Sequence, residues 1–292
     1  MISSPIELDR MALDDVGYLP HDFAREIRRQ LGSPTGYIDI DAVAYALDIV
    51  EIKRERLTTF EGALLTNAER SCVSILVNAA SGRLRGRFTV AHELLHFLND
   101  KHVQTEDGFR CRVSDIRLRN DAAKPGMSRH RRQEMEANRF AIELLAPSAA
   151  FDACIDITPD LDQVRKLSNR LDLSKEATAR RYRELHEAQV ALVFHRNGLV
   201  RYVDRPDGFP PPSVKKHLTM PESVEPDLAS GTLTDLEVAG PRDWFDGAPM
   251  SELSIQTLYQ KKGYGITMLT LDTEDPDDDG PEDTLNRYTS FS

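Results

Sequence analysis

RFTVAHELLHFLN, residues 87–99, decides how this chain is read. Phe88, Val90, Ala91, Leu94, Leu95, Phe97 and Leu98 surround the segment almost completely, as expected of a helix buried on all sides. Residues 92–96 within it spell HExxH. Histidines at i and i+4 lie on one side of a helix, one turn apart, so both imidazoles reach a single metal ion. Zinc accepts neutral imidazole nitrogen at about 2.0–2.1 Å and prefers four ligands. Glu93 points slightly off that face, within reach of a water on the metal but outside the ligand positions. The pattern suits metal-assisted hydrolysis, with His92 and His96 holding zinc and Glu93 taking the proton from water.

At average His and Glu usage, about one chain in a hundred of this length carries HExxH by chance, so a second signal is needed. The plainer reading is a core helix whose histidines are hydrogen-bonded. Two histidines and a glutamate inside such a helix are costly without partners, and a metal is the common partner.

The second signal is EMEANRFAIELLAP, residues 134–147, a run of good helix formers ended by Pro147. At about 100° per residue, Met135, Ala137, Phe140, Ala141, Ile142, Leu144 and Leu145 form one apolar arc. Glu134 and Asn138 fall inside the arc, one above the other; Glu136 and Glu143 fall on the solvent side. A glutamate on the core face needs a cation or a donor, and a zinc held by two histidines lacks a third protein ligand, so Glu134 is the candidate. Asn138 is placed to orient a liganding histidine. The alternative is a surface helix with Glu134 paired to Arg131 or Arg132.

With both motifs in view, the chain resembles the ImmA/IrrE family of zinc metallopeptidases. The likeness rests on RFTVAHELLHFLN, on the ExEANRFAIELLAP helix and on PTGYIDIDAVAYALDIVEIK (34–53), and covers about residues 20–190. It implies zinc at His92, His96 and a glutamate of the second helix, with Glu93 catalytic; manganese is kept as an alternative activating metal. It also implies a substrate class: helix-turn-helix repressors, cut to switch on stress-response or mobile-element genes. Leu95 stands where many members have glycine, and the spacer between the motifs is long here.

Composition sets the context. At 292 residues and 40% hydrophobic, the chain is long enough for two domains or one with appendages. No basic-then-apolar leader and no run of about 18 apolar residues is present, so a cytoplasmic protein without membrane association is expected. Cys72, Cys111 and Cys154 have no CxxC spacing and read as reduced thiols, with Cys72 in the core. The net charge of −11 misleads: DTEDPDDDGPED (272–283) holds eight acidic residues, and without it the rest carries −3. Such a block reads as a solvated, disordered tail.

Residues 21–31 and 40–48 read as helices, VEIK and CVSILVN as strands. The stretch 100–133 is polar and basic (Arg110, Arg112, Arg117, Arg119, Lys124, Arg129, Arg131, Arg132), either a contact surface or a solvated loop over the cleft. Residues 160–188 read as two amphipathic helices with Ser174 as an N-cap. The pair resembles a helix-turn-helix, with Ala177 and Leu185 inward and Arg180, Arg181 and Arg183 outward. A structural role is the default and DNA binding the alternative. QVALVFHRNGLVRYVD is a hairpin with an Asn-Gly turn, followed by a proline-rich stretch and strands near 232–238 and 265–272.

The expected fold is α+β. A zincin-like metallopeptidase domain (1–150) leads to a helical, helix-turn-helix-like segment (151–188), a β-rich C-terminal module (189–271) and an acidic tail (272–292). The expected function is a zinc endopeptidase acting on a helix-turn-helix repressor. The competing class is a regulator or anti-repressor with a structural zinc, for which His102 would be the fourth ligand. Tyr182 and His130 are candidate oxyanion donors outside the catalytic set.

Overall fold

A computed structural model of the chain describes residues 6–67, 72–103, 126–225, 228–247 and 252–271, and the backbone of 109–111. The side chains of Arg110, Arg112, Arg117, Arg119 and Lys124, Pro226 and the acidic stretch 272–283 lie outside the described residues. The chain divides into two compact units, residues 1–155 with 163–185, and residues 156–162 with 186–292.

The first unit runs α1 (Arg10–Asp14), α2 (Pro20–Gln30), α3 (Ile40–Ala46), β1 (Ile49–Glu55), β2 (Gly62–Thr66), β3 (Val73–Asn78) and α4 (Arg83–Leu98). It continues with β4 (Phe109–Cys111), α5 (Arg129–Leu145), α6 (Ser148–Asp152), α7 (Leu161–Leu171) and α8 (Lys175–Leu185). The sheet order is β1-β3-β2-β4, parallel between β1 and β3 and antiparallel elsewhere. Val73, Ile75 and Val77 of β3 and Leu64 of β2 share one core with Val90, Ala91, Leu94 and Leu95 of α4 and with Phe140, Ala141 and Leu144 of α5. Cys72 departs from the expectation: it is exposed, because β3 begins at Val73 and its alternate residues, starting there, turn inward.

Local chemistry sets the boundaries. Asp39 caps α3 by accepting from the Asp41 and Ala42 amides, and Ser128 caps α5 by accepting from Arg131 N. Helix α5 thus starts five residues before Glu134 and stops ahead of Pro147. Asn78 ties the loop before β2 to the end of β3. Its Oδ1 accepts from the Leu57 and Ala80 amides, and its Nδ2 donates to Leu57 O and Phe60 O.

Three buried arginines satisfy the carbonyls that helix C-termini leave over. Arg28 of α2 donates to Leu144 O at 2.8 Å and to Ser33 O and Gly36 O. Arg87 of α4 donates to Leu171 O at the end of α7 and to Ile38 O ahead of α3. Arg181 of α8 donates to Ala146 O, just past α5, and pairs with Glu143 at 3.0 Å. Arg181 and Glu143 therefore pack on each other, where the helical wheels turn both to solvent. Ser174 does cap α8, through Oγ to Ala177 N, but Ala177 itself is exposed. Thr178, Ala179 and Tyr182 carry the inner face of that helix.

The second unit is a five-stranded antiparallel sheet in the order β6-β5-β9-β8-β7. Its elements are β5 (Gln189–Arg196), β6 (Leu199–Asp204), β7 (Glu237–Ala239), α9 (Pro241–Trp244), β8 (Leu253–Tyr259) and β9 (Tyr264–Leu271). The β5–β6 turn has positive φ at Asn197 (50°) and Gly198 (70°), which an Asn-Gly pair tolerates. Strand β8 goes unread in the sequence, although it pairs with β9 along its whole length. No described helix is long and apolar enough to cross a membrane.

His195 of β5 faces Gly265 of β9 in register. A Cβ at residue 265 would stand 2.1 Å from the imidazole Cε1, so only glycine leaves room for the ring. Burial pushes the His195 pKa down to about 4. The unfolded chain therefore takes up a proton that the folded one refuses between pH ~6.5 and pH ~4. Stability is complete above that window and falls as the pH drops through it, by about 3 kcal/mol in all. Trp244 is the single tryptophan, is buried, and belongs to this unit, so its fluorescence reports this unfolding. The denaturation midpoint read from Trp244 should drop between pH 7 and 4.5, and His195→Gln should flatten the drop. An unchanged profile in that variant would show that other groups cause it.

Candidate metal centre

Helix α4 lies against β2, β3, α3 and α5, which explains why its apolar residues run all round. The side chains of His92, Glu93 and His96 are fully buried, and Glu134 and Asn138 of α5 are 2% exposed. His92 Nε2 stands 3.2 Å from Glu134 Oε2, and His96 Nε2 stands 3.4 Å from Glu134 Oε1. The two Nε2 atoms are 3.2 Å apart. Among the described residues these three form a group whose ligand atoms all lie within 4.8 Å of one another.

The outer ring nitrogens are held. His92 Nδ1 lies 3.0 Å from Asn138 Oδ1, so the ring donates there and turns the Nε2 lone pair toward Glu134 and His96. Burial holds His96 neutral, pushing its pKa down to about 3 despite the Glu134 carboxylate. Burial also works against charge on Glu134, but the close approach and charge of His92 and His96 outweigh it and hold the carboxyl well below the usual range. For His92 burial is again the largest influence and opposes protonation, yet Glu134, Glu93 and Asn138 together raise the pKa.

A neutral imidazole at residue 96, an ionised carboxylate and two inward Nε2 atoms match what zinc requires of nitrogen and oxygen ligands. The donor set therefore fits a divalent cation of the zinc type. Glu93, the next residue along α4 from His92, also lies against β2: a Cβ at Gly62 would stand 2.9 Å from Glu93 Oε1 and 2.3 Å from Thr89 Cγ2. Such an arrangement can hold a metal with three protein ligands and keep a carboxylate beside it to accept a proton.

The structure thus brings His92, His96, Glu134, Asn138 and Glu93 into one place. Glu136 is a correction. Its side chain is 34% exposed and its Oε2 lies 2.9 Å from His102 Nε2 rather than in open solvent. His102 in turn places Nδ1 2.9 Å from His96 Nδ1, on the side of that ring away from Glu134. It is therefore not in the position of a fourth ligand. Of the two oxyanion candidates, Tyr182 is buried with its hydroxyl donating to Gln163 Oε1. His130 is half exposed with Nδ1 3.7 Å from Glu134 Oε1. Arg129, Arg131 and Arg132, on the first turn of α5, are exposed.

Sequence reasoning missed strand β2, whose Gly62 abuts Glu93. The signal available was the glycine itself, at the head of the apolar run GALL. It also missed the contact between Glu136 and His102, which joins a helix to a loop.

Residues 49–183 match the family model of the IrrE N-terminal-like domain, peptidase M78. That stretch is similar to the peptidase domain of the ImmA/IrrE family. Among solved structures it resembles a Mycobacterium tuberculosis transcriptional regulator with a TM-score of 0.50 and 12% identity, over 89% of this chain and 90% of that one. That likeness is one of fold. No curated protein matches the chain.

Removing the partner that orients a ligating histidine typically weakens metal binding about 10–100-fold. Asn138→Ala should do so here, measured by competition with a chromophoric chelator. Undiminished zinc affinity would mean that the Asn138 contact does not orient His92.

Proposed function

We propose that this protein is a zinc-dependent endopeptidase that cleaves a helix-turn-helix transcriptional repressor and so relieves repression of stress-response or mobile-element genes. The observation that carries the catalytic half is the buried His92–His96–Glu134 group with Glu93 beside it on the same helix. The match of residues 49–183 to a peptidase-family model supports it. The repressor as substrate rests on the ImmA/IrrE resemblance.

In this reading His92, His96 and Glu134 hold the zinc and Asn138 fixes the His92 ring. Zinc bound there would supply Lewis-acid polarisation of the scissile carbonyl and a more acidic water. Glu93 Oε1, pressed close to the β2 backbone, accepts the proton and returns it to the leaving amine. The peptidase part is assigned to residues 1–150, the helix pair to 151–188, the β-rich module to 189–271 and the acidic tail to 272–292. The compartment is the cytoplasm, where such repressors act.

A second reading is a non-proteolytic regulator that binds the repressor or DNA. The fold neighbour is called a transcriptional regulator, which is compatible with it. The position of His102 on the far side of His96 favours the first reading, because a structural zinc takes four protein ligands.

The test is incubation with the repressor encoded beside this gene, with zinc or manganese and with a chelator control. Metal-dependent cleavage is expected. Glu93→Gln should keep the metal and lose about 10²–10⁴ in rate, the usual effect of removing a general base. His92→Ala, His96→Ala and Glu134→Ala should lose the metal. Normal cleavage by Glu93→Gln would overturn the mechanism; a repressor that stays bound but intact would favour the anti-repressor.

Gly62→Ala probes the same carboxylate from the other side. Its methyl must displace Thr89 or Glu93, so turnover should fall more than about tenfold while zinc content stays level. Turnover equal to the parent's would show that the Glu93 position is not set by β2.

A further inference from the structure

Behind His96, on the side away from Glu134, three side chains stand in a row. His96 Nδ1 is 2.9 Å from His102 Nδ1, and His102 Nε2 is 2.9 Å from Glu136 Oε2. His102 is 1% exposed, although it lies beyond the end of α4 at Leu98. Its backbone is fixed there by its own amide, which donates to Asn99 O at 3.0 Å. Gln133 Nε2 donates to Lys101 O, tying the same short loop to α5.

The directions of these hydrogen bonds follow from what each atom can do. A neutral imidazole carries one hydrogen, and a carboxylate only accepts. Glu136 therefore takes the hydrogen from His102 Nε2. That leaves His102 Nδ1 with its lone pair, so it must accept from His96 Nδ1. His96 is then left with a bare Nε2, on the side where Glu134 and His92 Nε2 lie. The opposite assignment would set the His102 Nε2 lone pair against the Glu136 oxygen and a hydrogen into the ligand position. This tautomer set satisfies both contacts behind His96, and Glu136 chooses it; the bare Nε2 faces the other acceptors, where a cation would be bound.

We infer that His102 and Glu136 are positioning residues that fix the tautomer and ring angle of His96 as a metal ligand, through a carboxylate–imidazole–imidazole chain. The inference rests on the metal-binding part of the reading above and is independent of the substrate. It gives the two histidines parallel supports of different make. Asn138 holds His92 with an amide oxygen, and His102 holds His96 with a ring nitrogen that is itself held. It also explains why α5 carries a second glutamate two positions after Glu134. Glu134 turns to the metal side, and Glu136 reaches around to the loop that follows α4.

The test measures zinc dissociation constants of the full chain by chelator competition, with the visible absorption of the cobalt-substituted protein as a second readout. His102→Leu should weaken zinc binding about 10–100-fold and change the cobalt spectrum. Glu136→Ala should weaken it less, by up to about tenfold, since it acts through His102. His102→Asn is the decisive variant: its Oδ1 lies near the place of Nδ1, so it should keep affinity within a few-fold of the parent and restore the spectrum. If His102→Asn folds and loses as much affinity as His102→Leu, or if neither His102→Leu nor Glu136→Ala alters zinc binding, the positioning role is wrong. A parent chain that binds zinc but cuts no repressor would overturn the substrate reading and leave these affinities to decide this one. A parent that binds no zinc would overturn both.

Discussion

Everything in the first unit is arranged around one carboxylate that has almost no contact with solvent. Glu134 sits at the centre of packed helices, where an ion without compensation is very costly. Two imidazoles approach it from α4, and burial keeps at least one of them, His96, neutral. A site with this charge and these lone pairs fits a cation. The demand explains why α4 is buried on every side and why α5 must present Glu134 and Asn138 together. Strand β2 approaches Thr89 and Glu93 so closely that position 62 is a glycine.

Much of this was legible in the residues. HELLH placed His92 and His96 on one face, and the apolar arc of EMEANRFAIELLAP turned Glu134 and Asn138 inward. In both cases a single helical period relates the residues, so spacing translates directly into direction. The Asn-Gly hairpin was equally readable, because that dipeptide meets an unusual backbone demand. What escaped was whatever depends on neighbours far apart in the chain. Strand β2 is five residues long and opens with glycine, too short to show a period. Strand β8 is buried on both faces, so alternation is absent. Glu136 looked solvated because a wheel sees only its own helix; the loop bearing His102 arrives from elsewhere. The same blindness sent Arg181 and Glu143 to solvent, when each supplies the other's counter-charge.

The second unit follows a different logic. Its sheet has no acid–imidazole cluster among the described residues comparable to that of the first unit. Among its described residues, His195 is driven toward neutrality by burial alone. The ring is accommodated by removing a side chain from the opposite strand, a solution of shape where the first unit uses charge.

The arginines at the helix ends carry a consequence for what holds the site in place. Arg28 grips α5 at Leu144 O, Arg181 grips the residue after it, and Arg87 anchors α4 to Ile38 O and Leu171 O. Those anchors hold both liganding helices in place by bonds that owe nothing to an ion. The placement of the two helices thus rests on more than a bound ion, unlike in a zinc finger, where the fold depends on the metal.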